Sequence, residues 1–142
     1  MGVLRIDHPD VLDFITAKRT PGRWNNFNVS VGVTDAFMQA LEKNADWELV
    51  HKARPGAALR ESGSYQRQDG LWVYKRLPAR QLWDTIMKSA YDFAEPGILF
   101  IDAIRRDNNL NYCETIEATN PSAKIGRASC RKECRSRWSP YH

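Results

Sequence analysis

The chain has 142 residues, 42% hydrophobic and 27% charged, which is ordinary for a soluble domain with a core of its own. No apolar run approaches the roughly 20 residues that a membrane-spanning helix needs, and the N-terminus lacks the basic start and apolar stretch of a secretory signal. This composition argues against a membrane protein and predicts a cytoplasmic location.

The net charge of +4 would ordinarily favour an anionic partner such as a nucleic acid. Five of the 21 basic residues and one of the 17 acidic residues lie in residues 125–142, which leaves 16 of each in residues 1–124. The excess charge therefore belongs to the tail, and the neutral body predicts no nucleic-acid partner. Cysteine follows the same division, because Cys113 alone lies in the body, as expected of a reducing compartment.

Helical and extended patterns alternate along the first half of the chain. Apolar residues at helical spacing predict a short helix from about Pro9 to Lys18, and alternating polar and apolar residues predict a strand over 26–33. Thr34 or Asp35 can cap a second helix. Residues 44–70 show little periodicity and are interpreted as a long excursion from the core.

The second half begins with a short predicted strand over Leu71–Leu77. A wide apolar stripe then predicts a helix from about Pro78 to Phe93, and the continuous apolar run Ile98–Ile101 is typical of a strand covered on both faces. This order predicts an α/β fold with a mostly parallel sheet or barrel. Four large aromatic residues are assigned to the core: Trp72, Trp83, Phe93 and Phe100.

Three isolated residues with reactive side chains are given structural interpretations. Cys113 is interpreted as a small buried packing group, in preference to a redox role. His8 and His51 are interpreted as surface or cap-adjacent residues, in preference to catalysts.

Six long strings and one motif are distinctive enough to indicate a family. The strings are residues 2–10, 26–31, 34–38, 69–74, 94–102 and 106–109, and the motif is the run 111–121, which ends Ala118-Thr119-Asn120-Pro121. The strings resemble the adenosylcobalamin (vitamin B12)-dependent, or class II, ribonucleotide reductases, and the run resembles the approach to their active-site motif Asn-Pro-Cys-x-Glu. Reductases with a separate radical-generating subunit usually have Leu where Pro121 stands, so Pro121 favours the cobalamin class.

This resemblance implies that residues 1–124 are part of a ribonucleotide reductase-type α/β barrel. The family reduces ribonucleoside di- or triphosphates to deoxyribonucleotides for DNA synthesis, using a cysteine thiyl radical formed with adenosylcobalamin. In the motif, Asn orients the substrate, Cys carries the radical and Glu is a general base toward the ribose 3′-hydroxyl, while a separate cysteine pair supplies electrons. The implied partners are the ribonucleotide substrate, a nucleotide effector and a thioredoxin-like reductant.

Carried over residue by residue, Asn120 matches the substrate-orienting Asn, Ser122 occupies the thiyl cysteine position and Lys124 occupies the glutamate position. A serine O–H bond is far stronger than a cysteine S–H bond, and a lysine cation cannot act as a carboxylate base. The chain itself is therefore expected to be inactive. Because the family's nucleotide-binding first strands precede this region and its phosphate-binding loops follow it, Met1 is interpreted as an internal start or a truncation.

Three asparagines that precede the motif have two interpretations that the sequence leaves equally open. They either line a substrate pocket or form turns, as asparagine clusters usually do. They are Asn108, Asn109 and Asn111.

The tail, residues 125–142, has a separate explanation. All 18 residues correspond to the translation of a widely used short-read sequencing adapter, if one G of the adapter is dropped. The adapter would also supply the last two bases of the Lys124 codon, and one base separates that codon from a Glu codon. Residues 125–142 are therefore predicted to be a non-native, disordered basic tail.

Two other interpretations of the tail are weaker. Cys130, Cys134 and His142 offer three candidate zinc ligands without the paired Cys-x-x-Cys spacing of a structural zinc site. Trp138 and Tyr141 could stack on RNA bases beside the basic residues. The alternative function is thus a small stand-alone binding module with a basic C-terminal arm.

Overall fold

A computed structural model describes residues 1–19 and 26–119, and it has a mixed α/β fold. The strands are β1 (Gly2–Arg5), β2 (Val29–Val33), β3 (Asp46–His51), β4 (Tyr65–Gln66), β5 (Trp72–Pro78) and β6 (Gly97–Phe100). The helices are α1 (Val11–Thr16), α2 (Asp35–Glu42), α3 (Ala57–Glu61), α4 (Ala79–Phe93) and α5 (Ile101–Arg106), with a 3-10 turn at Ala17–Arg19. In these ranges the strands form two three-stranded sheets and no closed barrel.

The first sheet is parallel, in the order β1-β2-β6. Its central strand, β2, is buried along its whole length, and Val31 at its middle pairs with Leu4 on one side and Ile98 on the other. β-branched residues suit such a position because they pack well on a pleated surface. The predicted strand over 26–33 is confirmed for its last five residues, and the α/β class is confirmed. The predicted mostly parallel arrangement holds only for this sheet, because the other three described strands pair antiparallel.

The strand β6 is less covered than its apolar run predicts. Leu99 is buried, but Phe100 is 47% exposed and Ile101 already begins α5. The prediction of a strand covered on both faces is therefore wrong for this segment. Within the described residues β6 pairs only with β2, so it is an edge strand.

Among the described helices, α4 contributes the most buried side chains to the core. Its Leu82 and Ile86 side chains are fully buried, and the buried Ser89 hydroxyl donates a hydrogen bond of 3.1 Å to the Ile15 carbonyl in α1. The predicted helix is confirmed over nearly its whole length. Phe93, however, is 46% exposed, because it is the last residue of α4 and lies at the margin of the core. The assignment of Phe93 to the core is therefore wrong, and so is that of Phe100.

The second helix begins at the predicted cap. The Thr34 hydroxyl oxygen accepts a hydrogen bond of 3.3 Å from the Phe37 backbone N–H, which satisfies one of the unpaired donors in the first turn of α2. Thr34, rather than Asp35, is the N-cap residue. Phe37 is fully buried and packs edge-on against Trp47, with ring centroids 5.1 Å apart.

Residues 44–70 do not form an excursion from the core, which corrects the sequence-based interpretation. β3 pairs with β5, and β5 with β4, in an antiparallel sheet whose Leu49 side chain is fully buried. Two hydrogen bonds tie this sheet to the segment after β1: Trp47 Nε1 donates to the Ile6 carbonyl (3.3 Å), and the Val50 N–H donates to the Asp7 carbonyl (2.7 Å). The partner strand lies more than twenty residues downstream of β3, so local periodicity did not reveal the pairing.

No helix in the described ranges is long and apolar enough to cross a membrane, the longest being the 15 residues of α4.

We expect Leu49→Ala to lower the free energy of unfolding by about 2–5 kcal/mol, because it leaves a cavity in the core. The matched control is Leu59→Ala in α3, where the side chain is 44% exposed and the expected change is within about 0.5 kcal/mol. Urea denaturation of both variants measures the difference. Equal midpoints would show that the antiparallel sheet does not contribute to the core.

Candidate functional site

The three parallel strands end at one edge of their sheet, and each is followed two residues later by an aspartate. Asp7 follows β1, Asp35 follows β2 and Asp102 follows β6. In α/β sheets the carboxyl ends of parallel strands are where ligands usually bind. Sequence analysis named Asp35 only as a possible helix cap and did not single out Asp7 or Asp102. It predicted no strand before Asp7, so the common position of the three aspartates was not visible.

We call this edge, where β1, β2 and β6 end, the carboxyl edge. Each of the three aspartates has a partner there. Arg5 Nε donates to Asp7 Oδ1 (2.9 Å), Arg106 Nη1 donates to Asp35 Oδ2 (2.5 Å), and Asp102 Oδ2 accepts from the Asp35 backbone N–H (2.9 Å). The Asp102 contact satisfies a donor in the first turn of α2 and joins that helix to α5.

These pairs change the electrostatics of the arginines. The hydrogen bond to Asp35 raises the pKa of Arg106, and the hydrogen bond to Asp7 raises the pKa of Arg5 above its ordinary value. The edge is therefore a network of paired charges. Over residues 1–19 and 26–119, no three His, Cys, Asp or Glu side chains are grouped so that they could hold a metal ion.

The segment that leads to Asn120 lies against this edge. We call residues 114–119 the approach segment; within it, Ile116 and Thr119 are buried. Arg105 of α5 contacts it twice: Nε donates to the Ile116 carbonyl (2.8 Å), and Nη2 donates to Glu117 Oε1 (2.7 Å). Glu117 also acts on β1, since its carboxylate contributes, after Asp7, to the raised pKa of Arg5.

A series of turns connects α5 to the approach segment. Asn108 Oδ1 accepts from the Leu110 N–H (3.1 Å), and the Asn111 N–H donates to the Asn108 carbonyl (3.1 Å). Of the two interpretations of the asparagines, the structure supports turns, with Asn109 in the same turn region. Cys113 is exposed and its thiol contacts the Leu110 carbonyl at 3.5 Å, so its predicted burial is wrong: it lies at the end of a surface turn.

The two histidines have the local structural role that sequence analysis predicted. His8 Nδ1 accepts from the Asp10 N–H (3.1 Å), just before α1, and His51 Nδ1 accepts from the Ala53 N–H (3.0 Å). Their rings meet edge to face with centroids 5.3 Å apart.

The predicted catalytic positions Asn120, Ser122 and Lys124 lie outside the described residues, as do the tail and its candidate zinc ligands. What the structure does bring together is the scaffold that precedes them, namely the carboxyl edge and the approach segment.

Comparison with known proteins identifies the class to which this scaffold belongs. Residues 1–133 match the ribonucleotide reductase barrel domain, so the chain belongs to that family. The match extends over the first part of the tail as well as the body.

Individual relatives carry the comparison further. The chain is 40% identical over 126 residues to a vitamin B12-dependent ribonucleoside-diphosphate reductase of Mycobacterium tuberculosis, covering 88% of this chain and 16% of the relative. It is 35% identical over 122 residues to a protein of the same description from Thermoplasma acidophilum, covering 85% and 14%. A ribonucleoside-diphosphate reductase large subunit of Dictyostelium discoideum is 30% identical over 131 residues, covering 83% and 15%. The chain thus spans about a sixth of these relatives' length.

The resemblance seen in the sequence is therefore confirmed, and the fit of adenosylcobalamin can be tested at the carboxyl edge. One cleft borders the carboxyl edge, with a volume of about 220 Å³, and Asp7, Trp47 and Arg67 are among its lining residues. The cofactor is larger than the drug-sized ligands that fill roughly 300–1,000 Å³. It does not fit this cleft, and we derive no step through it.

We expect Asp102→Ala to lower the free energy of unfolding by about 1 kcal/mol, because it removes the acceptor for the first turn of α2. Asp102→Asn keeps an oxygen acceptor and should lose less. Arg106→Ala should shift the urea midpoint least, since it removes only an exposed ion pair that solvent screens. If Arg106→Ala were the most destabilising of the three, then the hydrogen bond between Asp102 and α2 would not be the contact that matters.

Proposed function

We propose that this chain is part of the catalytic barrel of a class II ribonucleotide reductase, whose whole protein converts ribonucleotides to deoxyribonucleotides for DNA synthesis. The observation that carries the proposal is the 40% identity, over 88% of the chain, to a vitamin B12-dependent ribonucleoside-diphosphate reductase. The similarity to a protein of the same description from Thermoplasma acidophilum supports it. Pro121, which is typical of the cobalamin class, points the same way.

The proposal assigns chemical roles to three positions beyond the described residues. Asn120 would orient the ribose by hydrogen bonds, position 122 would carry the thiyl group and position 124 would hold the general base toward the 3′-hydroxyl. Loss of the ribose 2′-hydroxyl as water requires two electrons, which a separate cysteine pair supplies in the family. With Ser122 and Lys124 in place, this chain lacks both the radical carrier and the base and is inactive.

The whole protein would act in the cytoplasm on a nucleoside di- or triphosphate, with a nucleotide effector and a thioredoxin-like reductant. The carboxyl edge supports this proposal, because Arg105 of α5 holds the segment that immediately precedes Asn120 in the sequence.

A graft into an intact class II reductase tests the proposal. The graft consists of residues 2–124 with Ser122→Cys and Lys124→Glu, and it replaces the matching interval of the reductase. It should support turnover of ribonucleotide in the presence of adenosylcobalamin. Deoxynucleotide formation by chromatography is the measurement.

The graft that keeps Ser122 but carries Lys124→Glu is the matched control, and it should form no deoxynucleotide. The isolated chain should also be inactive, with or without the two reversions. Normal turnover by the Ser122 graft would show that position 122 is not the thiyl position.

We further propose that residues 125–142 are non-native. Sequencing the genomic locus should show a reading frame that continues past position 124 with codons for Cys at 122 and Glu at 124. A genomic sequence that encodes residues 122–142 as printed, followed by a stop codon, would instead support the stand-alone module with a basic arm.

A further inference from the structure

We propose that Arg105 is a positioning residue: it fixes the approach segment on the carboxyl edge, and that segment immediately precedes Asn120 and position 122 in the sequence. The inference rests on the proposed function, which makes those two positions catalytic. Arg105 itself touches no reacting atom and acts through the backbone that it holds.

One guanidinium group makes two hydrogen bonds and one longer ion pair. Nε donates to the Ile116 carbonyl (2.8 Å), Nη2 donates to Glu117 Oε1 (2.7 Å), and Nη1 lies 3.6 Å from Asp102 Oδ1. The planar fork of arginine can satisfy several acceptors in fixed directions, whereas a lysine ammonium is a single point of charge. The bond to Ile116 holds the main chain, so it fixes the path of the segment and not only one side chain.

Asp102, the ion-pair partner of Arg105, is itself held in place by a hydrogen bond. Asp102, one turn before Arg105 in α5, also accepts from the Asp35 N–H at the start of α2. The guanidinium group is therefore connected to two helices that follow neighbouring strands of the parallel sheet. This connection distinguishes it from an isolated surface ion pair, which typically contributes little.

The approach segment is also held at other points. The Ile116 side chain is buried, and Glu117 acts electrostatically on Arg5 at the end of β1 as well as bonding to Arg105. The segment that leads to the proposed catalytic positions is therefore held by side-chain burial as well as by hydrogen bonds.

The magnitude of the effect follows from how sharply catalysis depends on placement. A displacement of about 1 Å at a reacting group can lower the rate on the order of 100-fold. Removing Arg105 should therefore affect the turnover number more than the stability of the protein.

The test uses the active graft described above, with Ser122→Cys and Lys124→Glu, in the intact enzyme. We expect Arg105→Ala to lower kcat on the order of 100-fold while KM for the ribonucleotide changes much less. Arg105→Lys should recover part of the loss, because an ammonium group can still bind one of the two acceptors. The matched control is Arg80→Ala, an exposed arginine in the first turn of α4, which should keep kcat within about twofold.

Amide hydrogen exchange on the same grafted enzymes provides a readout that does not require activity. In Arg105→Ala the amides of residues 116–119 should exchange at least about tenfold faster, while α4 stays as protected as in the parent graft. Arg80→Ala should leave the approach segment unchanged.

The outcomes separate the two proposals. An inactive parent graft would overturn the proposed function, and the exchange measurement would still decide whether Arg105 holds the segment. An active parent graft in which Arg105→Ala keeps its kcat would overturn the positioning role. The same conclusion would follow if exchange at residues 116–119 did not change, or if the loss of kcat came with an equal loss of protection throughout the protein.

Discussion

The arrangement of the whole molecule depends on the pairing of β2 between two parallel neighbours. Because β2 is buried along its length and runs in the same direction as β1 and β6, all three strands end at one edge. The three aspartates that follow these strands are located by that edge. An antiparallel neighbour would have placed the residue after one of these strands at the opposite end of the sheet.

The antiparallel sheet supports this edge from outside the parallel sheet. Its strand β3 donates hydrogen bonds to the carbonyls of Ile6 and Asp7, in the turn that leaves β1. These carbonyls would otherwise lack a strand partner, and an unpaired buried carbonyl is costly. The sheet therefore does more than extend the core: it fixes the direction in which the chain leaves the carboxyl edge toward α1.

Local features of the fold could be predicted from the sequence where the signal itself was local. The cap at Thr34 and the apolar stripe of α4 involve residues within one or two turns of each other, and both were predicted correctly. The pairing of β3 with β5 joins distant segments, and its strand is too short and too mixed in polarity to show a clear period. Exposure of Phe93 and Phe100 was missed for a related reason, because hydrophobicity does not indicate whether a neighbour is present.

The candidate site was only partly predictable. The motif around Asn120 could be found because it is a contiguous string that resembles a known family, and the comparisons confirm that family. The contacts of Arg105 could not be found in this way. They join Arg105 to the backbone carbonyl of Ile116 and the carboxylate of Glu117, eleven and twelve residues later. Nothing in the sequence distinguishes these two acceptors from the many other carbonyls and carboxylates of the chain.

The scaffold and the chemistry of this site are separable in the chain. The hydrogen bonds and ion pairs described at the carboxyl edge are made by residues between Arg5 and Glu117, and the approach segment is buried at Ile116 and Thr119. Positions 122 and 124, where we propose that the family's catalytic groups are replaced, follow all of these residues in the sequence and lie outside the described part of the chain. The contacts of the edge can therefore be altered by substitution without changing positions 122 and 124. Stability measured on variants of the edge thus reports on the scaffold, whereas turnover by the graft reports on the proposed catalytic positions.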